Sequence, residues 1–223
     1  MIVAVIFDID GTLVDSVDLH AEAWRLSFAR FGKKVTFAEV RRQIGKGGDQ
    51  LMPVFLSRQE LGDFGDELEQ YRGDLFKKEF LPRVKPFPCV RQLFERIRED
   101  DKRIALASSA KGNELKTYKS IADIEDLVET ETSSDDAEKS KPYPDIFQAA
   151  VARLGDVSVD NVLVVGDTIY DAEAAGKANL RIVGVMCGGW SGEDLQQAGC
   201  IAVYRDPADL LHAYNASPIS RSL

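Results

Sequence analysis

Two aspartates one residue apart, Asp8 and Asp10, followed by Gly11 and Thr12, are the residues from which the chemistry of this chain can be read. A lone Asp-Gly is most often a turn, and a lone strand-end Asp is most often a solvated side chain. Three further clusters alter that reading: Ser108-Ser109, Lys141 before Pro142, and Asp167 with Asp171. Each has a plain alternative, Ser108 as a helix cap, Lys141 as a solvated charge and Asp167 as a turn residue. Gathered in one place, the carboxylates would repel one another unless a cation joined them. An all-oxygen donor set of this kind suits Mg²⁺ with retained waters.

The elements around these residues explain how they could meet. Residues 2–7 form an apolar, β-branched run of the kind found in a central strand covered on both faces, and the run breaks at Asp8. Gly11 allows a tight turn, and Ile9 between the two carboxylates makes their side chains diverge if strand geometry persists that far. Helices are expected next. The spacing predicts one over 17–31, with Leu19, Ala23, Leu26 and Ala29 or Arg30 on one face, and Thr36 with Glu39 fits a capping box for a second. The run Gly45-Lys46-Gly47-Gly48 stops that helix, Asp49 could cap a short one near Pro53, and 61–80 carries an apolar stripe. After Pro82 and Pro86 strands alternate with helices: strands at 103–107, 124–128, 162–165 and 182–185, helices at 90–97, 114–121, 144–154, 171–178 and 207–214, and a frayed tail after Asn215. The reading is an α/β fold, a Rossmann-like parallel sheet with helices on both faces, built from 1–15 and 84–223. Residues 16–83 form an inserted all-helical cap domain. In such sheets ligands sit outside the carboxyl ends of the strands, where three of the clusters fall, with Lys141 brought in by a loop and helix.

Composition sets the outer limits. The 223 residues carry 28 Lys plus Arg against 37 Asp plus Glu, a net charge of −9, with no dense basic run, which argues against nucleic acid as a partner. Hydrophobic content of 44% and charged content of 29% describe an ordinary soluble protein with no bilayer-spanning run. Cys89, Cys187 and Cys200 are an odd, scattered set that suits free thiols in a reducing cytoplasm, the expected location in the absence of a secretory signal. A monomer is expected, with a weak dimer as the alternative. An anionic substrate would need local positive charge to overcome the global field.

Asp8-Ile9-Asp10-Gly11-Thr12-Leu13-Val14, Ser108 after an apolar strand, Lys141-Pro142 and Gly166-Asp167-Thr168-Ile169-Tyr170-Asp171 resemble, in order and spacing, the four signatures of the haloacid dehalogenase-like superfamily. The helical insert after the first signature resembles the cap of the phosphoglycolate phosphatase and β-phosphoglucomutase branch. That resemblance implies a Mg²⁺-dependent phosphatase acting on a small phosphorylated metabolite. Asp8 would be the nucleophile that becomes an aspartyl phosphate, a task suited to a carboxylate because it is ionised at neutral pH. Asp10 would protonate the leaving alcohol and then deprotonate water. Mg²⁺ would be held by Asp8, Asp10 through its backbone carbonyl, and Asp167, with Asp171, Thr12 and Ser109 in support. Ser108 would hydrogen-bond a phosphoryl oxygen, and Lys141 would offset charge.

Displacement of halide is disfavoured because dehalogenases of the superfamily lack the second Asp of the first signature. A sugar-phosphate mutase on the same core is the nearer alternative, although the 45–50 loop has Gly and Asp near the position where mutases carry an Arg for a second phosphate. A non-catalytic phospho-accepting signalling domain is the distant one; its acceptor Asp sits on a later strand. Specificity is expected in the cap, from His20, Trp24, Gly45, Lys46, Gly47 and Gly48, with Lys111 as a further anion-binding candidate. The plain alternatives are a structural His20, a core Trp24 and a simple helix-to-helix turn at the glycines.

Overall fold

The structure, a computed structural model, describes residues 1–110 and 112–220. In chain order its elements are β1 (Ala4–Phe7), β2 (Val14–Asp15), α1 (Val17–Arg30), α2 (Phe37–Arg41), α3 (Gly48–Phe55), α4 (Arg58–Leu75), β3 (Lys85–Pro86), α5 (Val90–Glu99), β4 (Arg103–Ala107) and α6 (Gly112–Ala122). They continue with β5 (Thr130–Thr132), α7 (Asp145–Arg153), β6 (Val162–Gly166), α8 (Ile169–Lys177), β7 (Arg181–Val185), α9 (Gly192–Gln197), β8 (Ala202–Tyr204) and α10 (Pro207–His212). Six strands pair in parallel in the order β5-β4-β1-β6-β7-β8. The sheet is therefore the doubly covered α/β core that the sequence predicts.

Strand β1 lies at its centre, paired with β4 on one side and β6 on the other. Its side chains alternate between faces: Val5 and Phe7 join one apolar cluster, Ala4 and Ile6 the other. Helices α5, α6 and α10 cover the first face through residues such as Phe94, Tyr118 and Leu210. Helices α7, α8 and α9 cover the second through Phe147, Ala175 and Leu195. Four residues of α5, Val90, Leu93, Phe94 and Ile97, recur at helical spacing and are all buried, each of such size contributing roughly 1.5–3 kcal/mol of burial.

Between β2 and β3, which pair antiparallel as Val14↔Pro86 and Asp15↔Lys85, the regular elements are all helices, joined by short turns. This insert has its own apolar cluster, including Trp24, Phe28, Val40, Leu51 and Leu68. Helix α1 is buried on two sides, Ala23 with Leu19 and Leu26 against the sheet cluster, Ala21 and Trp24 against the insert's own. Ala29 and Arg30 are exposed, because the double contact ends at Phe28. The capping box of Thr36 and Glu39 is present, and Ser57 with Glu60 forms another at the start of α4.

Four expectations are corrected. The 61–80 helix is α4 followed by a single π turn, Phe76–Phe80, which turns Phe76 and Phe80 into the sheet cluster. Asp49 does not cap α3: Gly47 occupies that position, and the Asp49 carboxylate instead accepts the backbone N–H of Ser140 at 3.1 Å. The strand placed at 124–128 lies at β5. Ile124 is a buried residue of the irregular segment after α6, whereas β5 is an edge strand paired only with β4 and needs little apolar content. The tail does not fray at Asn215, since Ser217 donates to the Tyr214 carbonyl at 2.7 Å and Ile219 is buried in the sheet cluster. Helix α9 and strand β8 are additions to the predicted elements, short and set among polar residues. Among the described residues no helix is long and apolar enough to cross a membrane.

Candidate active site

The carboxyl ends of the three central strands converge at one edge of the sheet. Asp8 follows β1, Ser108 follows β4 and Asp167 follows β6, while the loop before α7 brings in Lys141 and α8 brings in Asp171. Lys141 is 1% exposed, and its Nζ lies 2.5 Å from Asp8 Oδ1 and 2.7 Å from Asp171 Oδ1. Thr12 Oγ1 lies within donating distance of both Asp8 Oδ2, at 3.3 Å, and Asp167 Oδ1, at 3.0 Å. A second carboxylate oxygen of Asp171 completes a capping box with Thr168, whose backbone N–H and hydroxyl donate to it at 3.0 and 2.6 Å. The start of α8 is thereby locked to the site.

Three buried carboxylates facing one ammonium leave an excess of negative charge with little water to screen it. Burial pushes Asp8 up to about 7, with the charges of Asp171 and Asp10 adding to the rise against the opposing pull of Lys141. Burial likewise raises Asp167 well above the usual carboxylate range, reinforced by Asp171 and Asp8. For Lys141 burial acts downward, but the Asp171 and Asp8 charges outweigh it and hold the ammonium firmly protonated. Asp8, Asp167 and Asp171 offer oxygens that all lie within 4.8 Å of one another, and Asp167 Oδ2 is buried without a hydrogen-bond partner. An orphaned acceptor inside an over-charged carboxylate set fits a hard divalent cation.

Asp10 has a different environment, two residues from Asp8. Its side chain leaves the cluster, as the intervening Ile9 predicts, and Oδ1 accepts from Ser16 Oγ at 2.6 Å and lies 3.0 Å from His20 Nε2. Burial alone would raise this carboxyl, yet the His20 charge and the hydrogen bonds from His20 and Ser16 hold it below the ordinary value. The Asp10 carboxylate is thus no member of the metal-type cluster, and any share it takes in a cation falls to its backbone carbonyl. His20 in turn stacks on Phe76, ring centroids 3.8 Å apart, and its Nε2 also lies 3.0 Å from the hydroxyl of Tyr118.

Above the sheet edge a cavity of about 320 Å³ opens between core and insert, reaching from Asp8 and Asp10 to the α4 residues Glu69 and Arg72. His20, Trp24 and the whole 44–49 loop line it, as do Ser109 and Ser140. Trp24 is 4% exposed, buried in the insert's cluster with its ring under the Arg72 guanidinium at 4.9 Å. His20 serves Asp10, so its site role is to hold a carboxylate. The glycines of the loop mark close approach: a side chain on Gly45 would press on Thr168 at 2.7 Å, one on Gly47 would collide with Ser140, and one on Gly48 would meet Glu69 at 2.5 Å. Lys46 Nζ donates to Gln43 at 2.7 Å and lies 4.7 Å from the centre of the Tyr170 ring, so it clamps the loop to the core. Lys111 lies outside the described residues.

Known proteins resemble this arrangement. The haloacid dehalogenase-like hydrolase family model matches residues 5–185. The chain belongs to that family. A phosphorylated carbohydrates phosphatase of Thermotoga maritima is 30% identical over 210 residues, covering 94% of this chain and 96% of that protein. A phosphoglycolate phosphatase of Nitrosospira multiformis is 26% identical over 205 residues, 90% of either chain. Among solved structures, a hydrolase from Pseudomonas syringae superposes with a TM-score of 0.86 at 26% identity, covering 96% of this chain and 98% of that one.

Several residues that shape the site of this haloacid dehalogenase-like chain escape sequence reasoning. Gly188, after β7, faces Asp167 so closely that a side chain there would overlap Oδ2; the pair Gly188-Gly189 beyond an apolar strand is the only signal. The turn at Gly11 was expected and is present, with φ of +85°; what the sequence does not show is the constraint from Asp167, which also forbids a side chain there. Tyr118 and Arg72 carry no local signal, because helical spacing places an aromatic or a charge on a face without saying what stands opposite.

Proposed function

We propose that the protein is a Mg²⁺-dependent phosphatase that hydrolyses a small phosphate monoester through an aspartyl phosphate on Asp8. The observation that carries this reading is the pairing of two carboxylates with opposite environments on one cavity, Asp8 in contact with Lys141 and Asp10 in contact with His20. The names of the two relatives, one acting on phosphorylated carbohydrates and one on phosphoglycolate, support the reaction class.

In the first half-reaction a carboxylate oxygen of Asp8 forms a bond to phosphorus as the bond from phosphorus to the alcohol oxygen breaks, and Asp10 gives that oxygen its proton. In the second, Asp10 takes a proton from water, whose oxygen bonds to phosphorus while the acyl phosphate bond to Asp8 breaks, releasing inorganic phosphate and restoring both carboxyls. The free protein holds Asp10 ionised, which prepares the base half; the acid half requires a proton taken up with the substrate. Lys141 and the Ser108 hydroxyl would face the phosphoryl oxygens and offset their charge. Asp8, Asp167 and the carbonyl of Asp10 would hold Mg²⁺, with Asp171 anchoring Lys141 beside them; the cation would supply the positive charge that keeps Asp8 ionised despite its burial. The insert would act as a cap that shields the site from water. The protein would work as a monomer in the cytoplasm, on a small phosphorylated metabolite and with neither nucleic acid nor membrane as partner.

Inorganic phosphate release from a panel of monoesters with Mg²⁺ tests this reading. Release that stops after metal is removed with EDTA and returns with Mg²⁺, while Ca²⁺ inhibits, is the expected result. Full activity in excess EDTA after dialysis would overturn it, and conversion of a sugar 1-phosphate to its 6-phosphate isomer without phosphate release would assign a mutase instead.

A further inference from the structure

The lining of the cavity, core and insert together, carries its own charge pattern. Outside the catalytic cluster and His20, its cations among the described residues are Lys46, Arg72 and Lys77, and its carboxylates are Asp49, Glu69, Asp74, Glu114 and Glu138. Several are already engaged: Lys46 by Gln43, Asp49 by the Ser140 N–H, and Lys77 with Glu114 at 4.0 Å. Arg72 is not. Its Nε is buried with no hydrogen-bond partner, while its guanidinium is held over Trp24 at 4.9 Å. Glu69, three residues earlier on α4 and so on the same helical face, presents carboxylate oxygens to the cavity beside Gly48. A stranded donor next to free acceptors, in a cavity whose described lining has more carboxylates than cations, is matched by a ligand that both donates and accepts without bringing negative charge.

Resting on the phosphatase reading above, we propose that the leaving group is an uncharged polyhydroxylated alcohol, with Arg72 donating to one of its oxygens and Glu69 accepting from its hydroxyls. Hydroxyls meet both demands, each being a donor and an acceptor. A leaving group bearing a carboxylate or a second phosphate satisfies Arg72 but meets the surplus of carboxylates, and one without hydroxyls leaves the buried Nε unpaired. The cavity, about 320 Å³, is of a size for one small ligand.

The test compares kcat/KM for sorbitol 6-phosphate, phosphoglycolate, glucose 1,6-bisphosphate and methyl phosphate. The wild type is expected to favour sorbitol 6-phosphate over each of the others by about tenfold or more. Arg72→Met and Glu69→Gln should each lower the ratio of sorbitol 6-phosphate to methyl phosphate by about tenfold, chiefly through KM, and Glu69→Gln with Asp74→Asn should raise phosphoglycolate relative to sorbitol 6-phosphate. Circular dichroism establishes folding, and Glu69→Gln, nearly isosteric, decides the matter if Arg72→Met does not fold. Hydrolysis of methyl phosphate with phosphoglycolate or the bisphosphate preferred, or ratios unmoved in folded variants, would overturn the proposal and leave the phosphatase reading standing. Hydrolysis of none of the four, nor of p-nitrophenyl phosphate, would sink both.

Discussion

The cavity has two walls that differ in kind. On the sheet side, Asp8, Lys141, Asp167 and Asp171 are 6%, 1%, 0% and 1% exposed and constrain one another through ion pairs, a shared threonine and a capping box. On the helical side, Glu69, Arg72 and Lys77 are half-buried, and few polar contacts tie the insert to the sheet beyond its stem. Besides the side-chain contacts of His20, Lys46 and Lys77, three of those contacts use a backbone group on one side: the Tyr170 hydroxyl to the Arg42 carbonyl at 2.7 Å, Arg41 to the Gly188 carbonyl at 3.3 Å, and Ser140 N–H to Asp49 at 3.1 Å. The contrast teaches a division of labour. The groups that constrain one another most tightly stand at the ends of paired strands, and the more exposed polar groups stand on the helical insert.

Substitutions can break or sharpen that contrast. The largest effect is expected from Asp8→Asn, which keeps the side chain's shape and removes the nucleophile: kcat should fall by about 10⁴-fold or more, with the melting temperature retained. Substantial residual turnover would end the assignment of Asp8. Next comes Asp10→Asn, with a loss of roughly 10²–10⁴-fold. Because p-nitrophenyl phosphate has a good leaving group, the variant should still be phosphorylated by it and then fail to discharge; intact mass spectrometry that detects the adduct on wild type but never on the variant would exclude Asp10 as the base.

Smaller effects probe the supports. A methyl group on Gly188 would overlap Asp167 Oδ2, so Gly188→Ala should raise the Mg²⁺ concentration for half-maximal activity by roughly 10–100-fold. Gly62→Ala, where nothing lies within 4 Å, is the control and should leave that concentration unchanged. Smallest of all, Tyr170→Phe removes one hydrogen bond between the walls and should shift KM by a few-fold, about 1 kcal/mol, while kcat stays within twofold, about the scatter of the assay. A large loss of kcat there would mean that the helical wall does more than recognise.

The two walls also differed in how far the sequence revealed them. Strand β1 and Asp8 were legible because a buried parallel strand must be apolar, so the first carboxylate marks its end. The capping box of Thr36 and Glu39 follows from residue types at a fixed spacing, and the divergence of Asp8 and Asp10 from the alternation of a strand; the capping box of Thr168 and Asp171 was not read. What could not be read was set across distance: that Tyr118 meets His20, that Gly188 makes room for Asp167, and that Arg72 lies stranded above Trp24. Edge strand β5 was misplaced for a related reason, since its register is fixed by β4 and not by any pattern of its own.

The antiparallel ribbon of β2 and β3 brings the two ends of the insert side by side. A segment of almost any length can be spliced between such adjacent ends, because the core sees the same short gap and loop-closure entropy grows slowly with length. Among the described residues of the insert, the inner side of α1 and the run from Leu75 to Val84, with Phe76 and Phe80 at its centre, reach into the sheet's own packing and would need to be matched by a replacement. The ribbon is thus a socket: what is plugged into it can be changed without moving the carboxylates at the strand ends beneath.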